Sequence, residues 1–132
     1  MQSKLSPSQT VAALRVLTMA PRVSPTVLRK MFVDVRNMVT SLNSRDVTYT
    51  LVAMARCHCV DTALLDGLMV RALAIAPSWQ DKDIGPAILA MAHLRVVCPS
   101  VVEALVRRLR TFEVGAKRHA PKVVEALVKL IA

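Results

Sequence analysis

Leu51-Val52-Ala53-Met54-Ala55 and Ile88-Leu89-Ala90-Met91-Ala92 stand 37 positions apart and match in residue class at every place. Self-similarity at a fixed period of about 20 to 50 residues marks a repeat architecture, and it governs every later reading of a fold. Shifting the chain by 37 brings residues 5–41, 42–78 and 79–115 into register, with Leu14-Arg15-Val16-Leu17-Thr18 as the looser first copy. Around this stretch the equivalent positions Thr10/Val47/Ile84, Leu14/Leu51/Ile88 and Leu17/Met54/Met91 run i, i+4, i+7. That spacing puts them on one face of a helix. Small residues recur beside them at Ala13/Thr50/Ala87 and Val16/Ala53/Ala90. Small side chains there let a neighbouring helix approach closely.

The helix starts recur as well. Ser6-Pro7-Ser8-Gln9 reads as an N-cap serine, proline at the first helical position and a capping-box glutamine. Asn43-Ser44-Arg45-Asp46 repeats the cap and the N3 acceptor. The third unit has Asp81 and Asp83, then Gly85-Pro86. Because proline is costly inside a helix, this helix is expected to begin near Asp83, with Pro86 in its first turn. A second helix follows in each unit, opening at Ser24-Pro25, Asp61-Thr62 and Cys98-Pro99. Its apolar stripe runs through Val27-Leu28, Leu64-Leu65 and Val101-Val102, then Met31/Leu68/Leu105 and Val35/Ala72/Leu109. One hairpin cannot bury both faces, so the units must stack.

Residues 116–132 read as a further amphipathic helix. Pro121-Lys122-Val123-Val124-Glu125-Ala126-Leu127-Val128 echoes Pro99-Ser100-Val101-Val102-Glu103-Ala104-Leu105-Val106 at the shorter offset of 22. That offset leaves open whether it is a first or a second helix; its place after a third hairpin favours a first. The expected fold is therefore all-α: an α-solenoid of about three and a half 37-residue helical hairpins, forming one domain over residues 1–132.

Composition agrees. Three glycines and four aromatic residues (Phe32, Tyr49, Trp79, Phe112) argue against a loop-rich or all-β chain. The hydrophobic fraction of 54% prompts the question of a membrane span, but no run approaches the ~18 uncharged apolar residues a span needs. No membrane association is expected, and the excess apolar surface is assigned to contacts between repeats and with partners. Cys57, Cys59 and Cys98 are an odd set with no secretory signal ahead of them, which suits a reducing compartment. The first 33 residues hold Lys4, Arg15, Arg22, Arg29 and Lys30 and no acidic residue, in the manner of a mitochondrial transit peptide. The same segment carries the repeat pattern, so it is expected to be folded and retained.

Asp46-Val47-Thr48-Tyr49-Thr50-Leu51-Val52-Ala53-Met54-Ala55-Arg56 and the run from Asp83-Ile84 to Ala92-His93-Leu94 carry a family resemblance, together with Leu64-Leu65-Asp66 and Val101-Val102-Glu103-Ala104-Leu105. A 37-residue unit with this first helix resembles the heptatricopeptide repeat and is similar to octatricopeptide and FAST-kinase-like repeats. Tetratricopeptide units are shorter and carry Trp/Gly/Tyr signatures that do not occur here. The resemblance extends over nearly the whole chain from Leu5. It implies organellar RNA as ligand, in mitochondria or plastids, for RNA processing, stability or ribosome assembly. Three repeats are few for a protein that reads sequence, and no endonuclease-like domain is expected in residues 1–132. A structural piece of a mitochondrial ribosome or another organellar complex suits a member so reduced.

Charge points the same way. Eighteen Lys and Arg against nine Asp and Glu give a net charge of +9, a field that attracts polyanions. The middle unit is balanced, with three basic and three acidic residues, so the positive charge gathers toward the two ends. It is densest at Arg107, Arg108, Arg110, Lys117, Arg118 and Lys122, expected to contact phosphates. On the first helices the positions that vary between units are Val11/Thr48/Gly85, Ala12/Tyr49/Pro86, Arg15/Val52/Leu89 and Met19/Arg56/His93. There Arg15 and Arg56 can hold phosphates, and Tyr49 can stack on a base or pack against the adjacent hairpin.

Cys57-His58-Cys59 with His93 and Cys98 contains zinc-ligand types, but structural zinc wants two closely spaced pairs, and here the other candidates lie a repeat away. These thiols are expected to be ordinary. With no catalytic constellation and no phosphate-binding glycine loop, neither enzyme activity, a cofactor nor a small-molecule substrate is expected. The expected function is RNA binding, chiefly through phosphates, within a ribonucleoprotein of the mitochondrial matrix or, alternatively, a plastid. Other protein subunits would dock at the open ends of the solenoid. The competing expectation is a protein–protein scaffold with no direct RNA role.

Overall fold

Ser6, Asn43 and Gln80 each precede one helix of a pair, and Ser24, Asp61 and Cys98 precede the other. In the computed structural model, which describes residues 5–20, 22, 24–58, 60–96 and 98–112, these caps open six α-helices. They are α1 (Pro7–Met19), α2 (Pro25–Asn37), α3 (Ser44–Cys57), α4 (Thr62–Ala74), α5 (Asp81–Leu94) and α6 (Pro99–Arg110). Two 3-10 turns, Val39–Ser41 and Ala76–Ser78, follow α2 and α4. The described residues contain no strand and no helix long and apolar enough to cross a membrane. The helices start at residues 7, 44 and 81, and at 25, 62 and 99, so both series keep the 37-residue interval.

Capping follows the local chemistry. Gln9 N–H donates to Ser6 Oγ at 3.1 Å and Ser6 N–H donates to Gln9 Oε1 at 2.9 Å, which closes the capping box. Asn43 Oδ1 accepts from Asp46 N–H, and Asp61 Oδ1 from Leu64 N–H. The N3 carboxylate of α3 turns to a different partner from the one expected. Asp46 Oδ2 accepts from Ser8 Oγ of α1 at 3.0 Å. Asp83, one repeat on, accepts from Ser44 Oγ of α3 at 3.0 Å, and Thr48 Oγ1 donates to its backbone carbonyl at 3.1 Å. Both aspartates are buried, so these hydroxyls satisfy groups that would otherwise cost desolvation energy.

The start of α5 corrects the expectation from Pro86. The helix opens at Asp81, and Pro86 lies inside it. The buried Asp83 and Ile84 hold the same register as Asp46 and Val47, so the helix begins where its repeat equivalents do. Pro86 has no N–H for the carbonyl of Lys82, but both residues are exposed and water can serve that acceptor.

Packing arranges the helices in two rows. α3 lies between α1 and α5, and α4 contacts both α2 and α6. The first-helix stripe forms the core: Leu14, Val47, Leu51, Met54, Ile84, Ile88 and Met91 are buried, while Leu17 is half-buried. Each large apolar side chain taken from water contributes about 1.5–3 kcal/mol. Ala53 and Ala90 are 1% and 5% exposed, whereas Val16 at the same repeat position is 66% exposed. No described helix covers that side of α1. Val27 is likewise exposed where Leu64 and Val101 are buried.

Candidate nucleic-acid interface

Eight of the twelve positions that vary between first helices line two adjoining clefts. Arg15 of α1 reaches across to α3, with its Cζ 4.4 Å from the centroid of the Tyr49 ring. This cation–π contact contributes on the order of 0.5–1 kcal/mol at an exposed site and fixes the direction of the guanidinium. Tyr49 is half-buried against the core, so its ring is a support for Arg15. Arg15, Tyr49 and Arg56 line a cleft of about 260 Å3 together with Lys82, Val52 and Pro86. Asp83 also lines it, but its carboxylate is buried and accepts from Ser44. Three cations therefore face one sequestered anion.

A second cleft of about 330 Å3 continues from the first between α3 and α5, sharing Val52, Arg56 and Pro86 with it. Its remaining walls are Ala55, Leu89, Ala90 and His93, so it is mainly apolar. A third, of about 350 Å3, runs toward α1 and α2 past Arg29 and Cys57 and also includes Arg56. Arg56 thus stands where all three meet. It projects from the last turn of α3, where the helix dipole favours a cation.

Sequence reasoning identified Arg15, Tyr49 and Arg56, and the structure gathers all three. It did not single out Lys82. The available signal was Arg45, which occupies the same repeat position one unit earlier. Of the other variable positions, Thr48, Val52, Pro86, Leu89 and His93 line the clefts, whereas Val11 is buried.

The basic run of α6 lies in the other row. Arg107 and Arg110 are exposed, and Arg107 pairs with Glu103 at 3.3 Å with both side chains more than 70% exposed. A pair so exposed contributes little to stability. Arg108 is committed to the fold. Its Nε donates to the Trp79 carbonyl at 2.9 Å, and its Cζ lies 4.6 Å from the Phe112 ring centroid. Arg71, its repeat equivalent, donates from Nε to the Leu42 carbonyl at 2.8 Å. All three arginines of α6 sit in its last turn, where the helix dipole favours them. Lys117, Arg118 and Lys122 lie outside the described residues, as does the helix expected at 116–132.

At the ends of α3 and α5 the rings of His58 and His93 stand 6.0 Å apart and tilted by 36°. Cys98 carries a free thiol, and Cys57 Sγ donates to the Met54 carbonyl at 3.7 Å. Among the described residues no group of three or more His, Cys, Asp or Glu side chains converges in a way that could hold a metal ion. Comparison of the chain with family models, curated proteins and solved structures finds no match.

Proposed function

We propose that the chain is a small helical-repeat solenoid that binds RNA largely through its phosphates, as a component or assembly factor of a ribonucleoprotein. The observation that carries this reading is the convergence of Arg15, Arg56 and Lys82 on a cleft whose one carboxylate is buried and hydrogen-bonded. Three cations on neighbouring first helices can neutralise phosphates of a single strand, and the counterions so released supply affinity. Helix starts that keep a 37-residue interval, and two rows of helices in contact, support the solenoid. The resemblance to organellar repeats and the acid-free, basic first 33 residues support a mitochondrial ribonucleoprotein, with the mitochondrial ribosome as the first place to look and a plastid complex as the second. Arg107 and Arg110 are exposed and remain available to a second stretch of backbone.

A scaffold role is the second reading, and a different observation favours it. Val16, Met19 and Val27 are exposed on the open side of α1 and α2, and Val70 and Leu73 on α4. Such surface suits docking to other subunits. Purification separates the two. If RNA is the ligand, chain purified at low salt carries an absorbance maximum near that of nucleic acid and loses it at high salt. Chain that is free of nucleic acid at low salt, yet joins its native assembly, supports the scaffold alone.

A further inference from the structure

We infer that the apolar cleft between α3 and α5 receives a base of single-stranded RNA, while the adjoining phosphates lie on Arg15, Arg56 and Lys82. This rests on the RNA reading and assigns a part to the surface that the phosphate contacts leave unused. Tyr49, the aromatic residue of the site, has the Arg15 guanidinium over its ring at 4.4 Å. A base stacking on that face would have to displace a cation that the phosphates need. The neighbouring surface of Val52, Ala55, Pro86 and Leu89 has no such cover, and Leu89 is 37% exposed.

Continuity between the two clefts sets the arrangement. Val52, Arg56 and Pro86 belong to both, so the cationic part and the apolar part meet without a gap. A nucleotide has the same division, with an anionic backbone on one side and a flat, weakly polar base on the other. An apolar peptide side chain would fill the second cleft but would leave Arg15, Arg56 and Lys82 without anions. An inorganic polyanion would satisfy those cations and leave the apolar walls wet. A single strand with an unstacked base answers both halves.

The walls also set the selectivity. Asp83, on the wall of the adjoining cleft, is buried and accepts from Ser44, and Thr48 Oγ1 donates to the Asp83 carbonyl. Among the described residues, His93 is the imidazole on the cleft wall, placed to meet a base edge there. Recognition in this cleft is therefore by stacking and burial, which favours the larger purines and reads little else.

The test uses the full chain and fluorescently labelled single-stranded RNAs of one length, intact or with abasic ribose throughout. Backbone charge is the same in both. The intact purine strand binds about tenfold or more tightly than the abasic strand, the effect expected from burying the apolar surface of one base. Leu89→Gln, at an exposed position, removes most of that difference and leaves binding of the abasic strand unchanged. An abasic strand that binds as well as the intact one overturns the base pocket and leaves the phosphate reading standing. A difference that survives Leu89→Gln puts the base elsewhere and also overturns it. If neither strand binds, the RNA reading fails and the pocket proposal with it.

Discussion

Arg71 and Arg108 show how one residue type divides between structure and ligand. Each donates from Nε to the carbonyl of the residue that opens its own unit, Leu42 or Trp79. Those two residues are fully buried, and Trp79 Nε1 donates in turn to the Ala72 carbonyl at 3.2 Å. Arg71→Ala or Arg108→Ala should therefore destabilise the chain by about 1.5–3 kcal/mol, the range for a hydrogen bond from a charged donor. Arg107→Ala, which removes only an exposed pair, should change stability by less than about 0.5 kcal/mol. Urea unfolding of the three variants checks this, and equal midpoints for all three would contradict it. No sequence rule distinguishes these arginines, because each structural bond spans 29 residues and depends on how the hairpin closes. The buried Asp46 and Asp83 were hidden for the same reason, since their serine partners lie 38 and 39 residues away.

Backbone conformation adds a second residue-level expectation. His58 and Arg95, one repeat apart, end α3 and α5 in the left-handed region with φ of 52° and 57°. A side chain there carries a steric cost that glycine avoids. Arg95→Gly should raise stability by about 0.5–1 kcal/mol, seen as a higher urea midpoint. A lower midpoint would mean that the Arg95 side chain contributes more than its backbone costs.

At the scale of helices, small residues set how closely neighbouring first helices approach. Ala53 is buried where α3 lies against α1, whereas its equivalent Val16 faces no described helix. Ala53→Leu should cost about 1–3 kcal/mol through overpacking, while Val16→Leu should be close to neutral. Leu51→Ala or Ile88→Ala should cost about 2–5 kcal/mol, because both are buried in the core. Thermal unfolding ranks the four, and a neutral Ala53→Leu would mean that the helices are not in close contact there. Caps, first positions and apolar stripes were legible because each is a local signal that occurs three times. Pro86 misled for an equally local reason. Its rule concerns an isolated helix, and the register was set by Asp83 and Ile84 packing against the preceding unit.

At the scale of the molecule, exposed apolar side chains gather at the first pair of helices. Val16, Met19 and Val27 occupy the open side of the first pair of helices, so the isolated chain should self-associate at micromolar concentration unless a partner covers them. Val16→Asp with Val27→Asp should return it toward a monomer in sedimentation velocity. A parent chain that sediments as a clean monomer would count against docking at this end. The candidate site was half legible. Variation at fixed repeat positions pointed to Arg15, Tyr49 and Arg56, whereas the position of Lys82 beside them and the turning of Arg15 onto Tyr49 arise only when α1, α3 and α5 meet.

Phosphate binding by the cleft of Arg15, Arg56 and Lys82 is read in the salt dependence of RNA binding. Three neutralised phosphates of a single strand contribute about −2 to the slope of log K against log salt. The Arg15→Gln, Arg56→Gln, Lys82→Gln triple variant should flatten the parent slope by about that amount and weaken all sequences alike, because phosphate contacts carry no sequence information. Arg107→Gln with Arg110→Gln should produce the smaller change. A triple variant that keeps both the affinity and the slope of the parent would contradict the account.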